Sequence, residues 1–180
     1  MVMTIFGVAV LAAVVAGLRF WKSTPEDTPV RENAFRLTLP GKWSPEASSD
    51  PTRWTYHSEN RREQLTVSLF AWAKRLSPEE QRQTLERMTE IHRNVQTKMP
   101  GMDAITMSDT TFGESGGTIA ARYGGVDLPH QRRFWSLLLS SPVAVTVFYY
   151  EAVGMSEAET DARARAVMNS IVVPRDWEKQ

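Results

Sequence analysis

The residues with the clearest chemical potential form a glycine-rich stretch, Gly113 to Gly117, which reads G-E-S-G-G. This matches the pattern G-x-S-x-G, in which hydrolases hold a nucleophilic serine on a strained turn between a strand and a helix. Asp127 and His130 follow Ser115 in the order in which such enzymes supply the acid and the base of a triad. The corresponding chemistry is acyl transfer by a small envelope serine hydrolase.

The residues after this stretch favour a different structure. Thr118 to Tyr123 reads as a strand, whereas the serine turn of a hydrolase must open a helix. A hairpin turn uses glycine for positive φ values and accounts for the same residues. We therefore predict a hairpin turn and no catalytic residue, with the hydrolase that uses Ser115 as the alternative.

Metal and cofactor chemistry has little support in the sequence. The three histidines are His57, His92 and His130, and none has a partner at the spacing of metal ligands. The chain has no cysteine, which excludes disulfides, thiolate nucleophiles, zinc–thiolate sites and iron–sulfur clusters. We predict no metal site and no cofactor.

The loop from Gly124 to His130 is the candidate binding surface. It carries Asp127 and His130 and leads into Arg132 and Arg133, so its tip could recognise a protein partner or an anionic ligand. An ordinary solvated hairpin is the alternative for these four residues.

Three tryptophans in predicted strands have two interpretations. They could line a ligand cleft, but aromatic residues of strands usually belong to the core. The core is the prediction for all three: Trp54, Trp72 and Trp135.

The composition describes an ordinary globular domain. The chain has 180 residues, of which 42% are hydrophobic and 23% are charged. Its formal net charge is zero, so no global field attracts nucleic acid, and we predict no nucleic-acid partner.

The N-terminal segment from Val2 to Leu18 carries no charge and one hydroxyl side chain, that of Thr4. As a helix it spans about 25 Å, against about 30 Å for the hydrocarbon core of a bilayer. Phe20 and Trp21 lengthen this run, and Trp21 fits an interfacial anchor. We predict a single-pass transmembrane helix that anchors the chain through residues 1–22.

Two alternatives remain for this segment. A signal peptide would be cleaved after Val14 to Ala16, but the basic residues that normally precede the apolar run are missing. A helix buried in the domain would need a large core around it. Arg19 and Lys22 favour a cytoplasmic domain by the positive-inside rule, with a periplasmic domain as the alternative.

The first part of the domain reads as strands. Residues 23–33 predict a linker, and Ser44 to Pro51 predicts a polar loop. Three runs of alternating apolar and polar residues predict an antiparallel meander: Phe35 to Leu39, Trp54 to His57 and Leu65 to Ala71.

A long helix follows the third strand. Ser77, Pro78 and Glu80 provide a cap, a first helical residue and a capping box. Apolar residues at spacings of three and four predict one buried stripe: Leu85, Met88, Ile91, Val95 and Met99.

The remaining residues predict four strands and a second helix. The strands are Ala104 to Phe112, Thr118 to Tyr123, Gln131 to Ser140 and Val143 to Glu151. The last two are apolar on both faces, which is typical of strands in the middle of a covered sheet. Ser156 and Glu159 open a helix to about Ser170, with an apolar side made of Ala158, Ala162, Ala166 and Val167.

This order of elements predicts an α/β (α+β) fold. We expect a mainly antiparallel sheet of six to seven strands, sandwiched by helices. The folded domain is predicted over residues 34–174, with a C-terminal tail over residues 175–180.

The opening of the domain resembles a known family. Phe35 to Trp43 reads F-R-L-T-L-P-G-K-W, which is similar to the F-x-(aliphatic)-x-(aliphatic)-P-x-x-W opening of the Mog1/PsbP-like α/β/α sandwich. Bacterial DcrB-like proteins belong to the same fold group. The resemblance, together with the order of elements, covers Ala34 to Val173. It implies a role in binding or assembly, and no functional residue follows from it because the family shares no catalytic motif.

The sequence therefore predicts a membrane-anchored, non-catalytic domain that binds a protein partner or supports an assembly. The serine hydrolase is one alternative. A secretion-associated chaperone or adaptor, or an immunity protein, is the other.

Overall fold

The computed structural model describes residues 26–98, 105–115 and 117–173. Two helices lie in these residues, α1 (Pro78–Lys98) and α2 (Glu157–Ser170). The strands of the same residues are β1 (Thr28–Arg31), β2 (Arg36–Leu39), β3 (Trp43–Glu46), β4 (Arg53–Ser58), β5 (Glu63–Ala71), β6 (Ile105–Met107), β7 (Thr111–Ser115), β8 (Thr118–Asp127), β9 (Arg132–Ser140) and β10 (Ala144–Val153).

The main sheet has eight strands, and all of its pairings are antiparallel. Its order is β3-β4-β5-β10-β9-β8-β6, and β7 pairs with β8 on the same side as β6. β1 and β2 form a separate two-stranded ribbon. The helices and the ribbon cover the sheet from its two faces, so the molecule has three layers.

The ribbon and α2 pack against one face of the sheet. Phe35 stands at the centre of this core, with its ring edge-to-face against Trp54 at 5.2 Å and Phe148 at 5.5 Å. Backbone hydrogen bonds of 2.8 Å between Arg36 and Val172 tie β2 to the chain that follows α2. The other buried apolar residues of this core include Leu37, Leu39, Leu65, Val67, Tyr150, Ala164 and Val167.

Helix α1 covers the opposite face of the sheet, over β8, β9 and β6. Leu85 is the fully buried leucine of this helix and meets side chains of the central strands. Those side chains are Ile119, Ala121, Tyr123, Phe134, Leu138, Val145 and Val147. The second core is thus smaller than the first and lies on the opposite face of the sheet.

The central hairpin and the caps of both helices confirm the sequence predictions. β9 and β10 lie in the interior of the sheet, where both of their faces are covered. The backbone N–H of Glu80 donates to the Ser77 hydroxyl, and the Glu80 carboxylate accepts from the Ser77 N–H at 2.8 Å. The Ser156 hydroxyl accepts from the N–H of Glu159 and caps α2.

The strand count differs from the prediction of six to seven, for two reasons. β3 lies largely in the stretch predicted as a polar loop, Ser44 to Pro51, because edge strands need little apolar character. The stretch predicted as one strand, Ala104 to Phe112, contains two strands separated by a break at Ser108 to Thr110.

The predicted meander of three strands is also wrong in one respect. β4 and β5 form the expected hairpin, but β2 pairs with β1 and stays outside the main sheet. β1 itself lies in residues 23–33, which were predicted to be a linker. Alternation indicates that one face of a strand is buried, and it does not indicate which strand is its neighbour.

The buried sides of both helices match the predicted sides only in part. Leu85 and Met88 of α1 and Val167 of α2 pack against the core as predicted, and Met99 lies outside the described residues. On α1, Ile91 and Val95 are 54% and 45% exposed, whereas the polar residues Gln81, Thr89 and Gln96 are buried. On α2, the buried residues are Thr160, Ala164 and Val167, and the predicted alanines Ala158, Ala162 and Ala166 are exposed. Alanine and threonine suit either side of a helix, so spacing alone misplaced these faces.

The predicted membrane anchor, Val2 to Leu18, lies outside the described residues, as does the tail over residues 175–180. Within residues 26–98, 105–115 and 117–173, no helix is both long and apolar enough to cross a membrane.

Candidate binding trough

A trough follows β8 on the face of the sheet that carries α2. It exists because α2 packs mainly against β2 and β9 and so leaves part of the face above β8 uncovered. The main cavity of the trough has a volume of about 630 Å³. Its lining comes from β8, β9, α2 and the β6–β7 edge and includes Thr106, Arg122, Gly124, Arg133, Trp135, Asp161, Arg165 and Asn169.

Two smaller cavities extend the trough in both directions. One of about 350 Å³ shares Thr111 and Arg122 with the main cavity and continues over the β7–β8 hairpin. The other, of about 250 Å³, shares Val126 and Arg133 and continues to the β8–β9 turn. The trough therefore follows the ten residues of β8, a length of about 33 Å.

Gly124 forms part of the floor beside Trp135. A Cβ atom at position 124 would lie 2.9 Å from the backbone oxygen of Phe134 and 3.5 Å from Cδ1 of Trp135. Glycine thus allows the indole of Trp135 to lie over β8. The indole N–H of Trp135 has no acceptor among the described residues, so it is available to a ligand.

The next residue, Gly125, lies against an aromatic ring on the other face of β8. A Cβ atom here would lie 2.6 Å from Cε1 of Phe134, whose ring occupies the space above it. Two neighbouring glycines therefore accommodate two neighbouring aromatic rings, Phe134 towards α1 and Trp135 towards the trough. This double contact fixes the position of β9 relative to β8.

The outer wall of the trough is a break in the edge of the sheet, between β6 and β7. The Ser108 hydroxyl accepts from the N–H of Gly124 at 2.8 Å, and the Ser108 N–H donates to the Gly124 carbonyl at 2.9 Å. Arg93 of α1 donates to the Ser108 carbonyl at 2.6 Å and to the Thr110 hydroxyl at 3.0 Å. These hydrogen bonds hold the outer wall in place, although no continuous strand runs along it.

The charged side chains of the main cavity have both signs. Arg133 is paired with Glu157 at 2.8 Å, but no ion pair among the described residues holds Arg122 or Arg165. Asp109 and Asp161 also line the cavity. The trough thus offers two exposed guanidinium groups, two carboxylates and an indole N–H to a ligand.

The loop predicted to bind a partner lies at one end of the trough, and the structure brings its residues together. Asp127 is only 2% exposed and accepts from His130 Nδ1 at 2.9 Å, with Arg132 Nε at 3.8 Å. Arg132 also contacts Glu151 on β10 at 3.4 Å. Asp127 and Arg132 therefore hold the β8–β9 turn, while Arg133 lines the main cavity and His130 is exposed.

Ser115 lies on β7 and is exposed, and the chain continues from there into β8. β7 and β8 are thus paired as a hairpin, as predicted, with Gly113 to Ser115 in its first strand. Ser115 pairs with Thr118 at the start of β8, whereas Asp127 ends the same strand, about 30 Å away. Ser115, Asp127 and His130 do not form a triad.

A second group of polar side chains lies beneath α1. The Tyr123 hydroxyl is hydrogen-bonded to His92 Nδ1, and the His92 ring is edge-to-face with both Tyr123 and Tyr149. Burial lowers the pKa of His92 below its ordinary value of 6.5 and raises the pKa of Tyr123 to about 12. Both groups are therefore neutral near pH 7, and they stabilise the packing of α1.

Metal-binding clusters are absent from the described part of the chain. In residues 26–98, 105–115 and 117–173, no group of three or more His, Asp or Glu side chains could hold a metal ion. Glu46 and His57 Nε2 form an acid–histidine pair at 2.8 Å across two neighbouring strands, without a third such side chain among the described residues.

No protein-family model and no curated protein sequence matches the chain. A similar solved structure is that of cyanobacterial PsbP (CyanoP) from Synechocystis sp. PCC 6803, with a TM-score of 0.59 and 10% identity. The match covers 82% of this chain and 92% of that chain. The chain has a PsbP-like fold. At this identity the likeness establishes the fold and transfers no residue roles.

Two further structures are more loosely similar. LpqN of Mycobacterium tuberculosis, described as involved in cell envelope biogenesis, has a TM-score of 0.48 at 15% identity and covers 83% of this chain and 91% of its own. A protein of Bacteroides thetaiotaomicron has a TM-score of 0.43 at 8% identity, over 86% of this chain and 50% of that chain. The assignment of a PsbP-like fold rests on the cyanobacterial structure.

The motif that carried the resemblance has a structural role in this PsbP-like fold. The carbonyl of Pro40 accepts from Trp43 Nε1 at 3.0 Å and from the Arg163 guanidinium at 2.8 Å. Arg163 also makes two 2.6 Å bonds to Glu63, which is 3% exposed and accepts from the Tyr150 hydroxyl. The P-x-x-W turn is thus fastened to β5, β10 and α2.

The three tryptophans differ in their surroundings. Trp54 packs against the core beneath α2, as predicted, and Trp72 packs beside α1 with its N–H on the Ser141 carbonyl at 3.2 Å. Trp135 packs against Tyr150 at 5.7 Å and also lines the trough. The cleft interpretation therefore applies to one of the three.

Two of the arginines that line the trough were not predicted from the sequence to form a site. Arg122 and Arg165 lie in different elements, and nothing in their spacing indicates that they share a cavity. A signal for the floor did exist, because the glycine pair Gly124-Gly125 directly follows the predicted strand Thr118 to Tyr123, and β8 continues through it. Glycine within a strand often marks a close approach to another group.

Proposed function

We propose that this chain is a non-catalytic binding domain whose trough along β8 receives an extended segment of a protein partner. The observation that carries the proposal is the trough itself, with exposed guanidinium groups at Arg122 and Arg165 and an available indole N–H at Trp135. Neither arginine has an ion pair among the described residues, so both can bind a ligand without breaking an existing bond.

The shape of the trough favours a protein segment. About 33 Å of open floor matches roughly ten residues of extended chain at about 3.3 Å per residue. Carboxylates at Asp109 and Asp161 lie with the arginines in one lining, so a partner with both charge signs can be matched along it. Charge complementarity of this kind selects a partner and fixes its register.

The fold supports binding in preference to catalysis. A PsbP-like fold is consistent with a binding or assembly domain, and Ser115 lies about 30 Å from Asp127 along β8. A serine nucleophile needs its base within hydrogen-bonding reach. We therefore favour the binding domain over the hydrolase.

The proposal includes attachment to a membrane through Val2 to Leu18. Support comes from the sequence of this segment, which is uncharged and nearly long enough to span. Extraction of membranes with alkaline carbonate should leave the full-length chain in the pellet. Release into the supernatant would contradict the anchor and would leave the trough proposal untouched.

Binding in the trough is tested by reversing its charges. The full-length chain with a C-terminal tag is purified in mild detergent from the cells that produce it, and stoichiometric partners are identified by mass spectrometry. The double variant R122E/R165E should retain at least tenfold less partner than the wild type. R87E is the matched control, because Arg87 is exposed on α1 at the opposite face. Equal partner recovery with all three proteins would contradict the proposal.

A further inference from the structure

The two edges of the main sheet differ in their protection against pairing with another chain. The β3 edge contains Pro45, which has no N–H to donate, and its Glu46 carboxylate is paired with His57 of the neighbouring strand. Proline and charged side chains are the usual devices that block an exposed edge. This edge is therefore closed to further strands.

The β7 edge has no proline, and its one charged side chain, Glu114, is paired with Arg82 of α1. All five of its residues, Thr111 to Ser115, are exposed, and none is proline or lysine. Its inner side pairs with β8, and no strand pairs with its outer side in the described part of the chain. Phe112 is 44% exposed on this edge. An open edge with an exposed aromatic side chain can pair with a further strand.

The sequence of β7, T-F-G-E-S, is suited to pairing with itself. We propose that β7 pairs antiparallel with β7 of a second copy of this chain, about a two-fold axis through Gly113. In that register Gly113 faces its own copy, Phe112 faces Glu114 of the second copy, and Thr111 faces Ser115 of the second copy. The two eight-stranded sheets then form one continuous sheet.

The distribution of charged side chains also favours a second copy of the chain as the partner of β7. Phe112 and Glu114 lie on the α1 side, because their neighbours on β8 are Ala121 and Ile119 of the core beneath α1. The register places each Glu114 opposite an aromatic ring, so no like charges face each other directly. Arg82 approaches Glu114 to 3.4 Å in each copy, which makes the joined edge electrically neutral.

The space around the two-fold axis also favours pairing with a second copy of the chain. A Cβ atom at Gly113 would meet nothing within 4 Å, so the α2 face of the strand is open at the axis. Thr111, Gly113 and Ser115 are small and let the two copies approach on the α2 side. This pairing uses the outer backbone edge of β7. Residues of β7 also line the smaller cavity at this end of the trough, so the joined edge borders the proposed partner site, whereas Trp135 and Arg165 lie in the main cavity.

The test uses single cysteines, which are unambiguous because the natural chain has none. G113C is introduced into the full-length chain and oxidised mildly in the membranes of the cells that produce it. Facing residues of an antiparallel pair have Cα atoms about 4.5–5.5 Å apart, within the range of a disulfide. Most of the G113C protein should become a covalent dimer.

Two control experiments test the register of the β7–β7 pairing. T111C alone and S115C alone should stay monomeric, because each residue would lie about 14 Å from its own copy. Mixed production of T111C and S115C chains with different tags should give the heterodimer. G113K added to that mixture should abolish the heterodimer by placing two positive charges on the axis, while circular dichroism shows an unchanged fold.

Two results would overturn the proposal. One is a G113C chain that dimerises no more than a chain with a cysteine at the exposed Ser48. The other is equal dimerisation of G113C, T111C and S115C, which would indicate random collision or association through another segment.

Discussion

Gly125 and Gly113 are both strand glycines, yet only one of them has room for a side chain. The Phe134 ring occupies the position of a Cβ atom at Gly125, whereas nothing lies within 4 Å of that position at Gly113. Composition and periodicity do not distinguish Gly113 from Gly125. The difference arises from the ring of a neighbouring strand, so the sequence could indicate a close approach but not which ring makes it.

We predict that G125A destabilises the fold by about 1–3 kcal/mol, the usual cost of forcing an extra methyl group into a packed site. G113A should be neutral or stabilising by up to about 1 kcal/mol, because alanine loses less entropy in a strand than glycine does. Urea unfolding followed by tryptophan fluorescence measures both. Equal effects of the two changes would show that Phe134 does not pack as described.

His92 gives the fold a dependence on pH. Burial lowers the pKa of folded His92 below 6.5, so in acid the unfolded chain binds a proton that the folded chain resists. Stability from this group is therefore complete above about pH 6.5 and is lost as the pH falls below it. We predict that the free energy of unfolding declines less between pH 7.5 and pH 5 in H92Q than in the wild type. Parallel declines would contradict this role.

The helices and strands themselves were predicted more accurately than the packing between them. The helix caps at Ser77 and Ser156 and the strands β4, β5, β9 and β10 follow from local signals, and the structure has all of them. The stripe of α1 was correct at Leu85 and Met88 and wrong at Ile91 and Val95, and the polar residues Gln81, Thr89 and Gln96 are buried instead. Ile91 and Val95 have the correct spacing for burial, but the sheet lies beneath another side of the helix.

Besides its apolar packing, helix α2 is fastened to the sheet by an ion pair with the buried Glu63, which the sequence did not predict. Arg163 is a positioning residue on α2 whose two bonds to Glu63 of β5 span 100 residues of chain. Both bonds measure 2.6 Å, and the pKa of Arg163 is raised by this carboxylate. No local pattern links residues so distant in the chain.

We predict that R163M destabilises the fold by about 3 kcal/mol, because it leaves the Glu63 carboxylate buried without its cation. This is the lower end of the usual range, since Arg163 is 29% exposed. R165M on the same helix is the control and should change stability by less than about 0.5 kcal/mol. The same unfolding assay measures both variants, and a loss below about 1 kcal/mol for R163M would contradict the role of the pair.

At the scale of the whole molecule, the order of strands and helices and the opening motif together indicated the PsbP-like sandwich. The opening motif from Phe35 to Trp43 contributed because its Pro40 carbonyl and Trp43 ring take part in fastening α2. The trough was not predictable, because it is the space that α2 leaves uncovered on the sheet. Such a space depends on how far the helix extends across the strands, and no residue pattern encodes that distance.

We propose the trough along β8 as the surface that meets a protein partner. Its most direct test places a photo-crosslinking amino acid at Thr106 and at Asn169, which are exposed on opposite walls of the main cavity. Arg87 and Ser48, exposed elsewhere, are the control positions. Irradiation of cells that produce the full-length variants should give the same discrete protein adduct from both walls and none from the controls. Adducts of equal yield at the control positions, or none from either wall, would contradict the account.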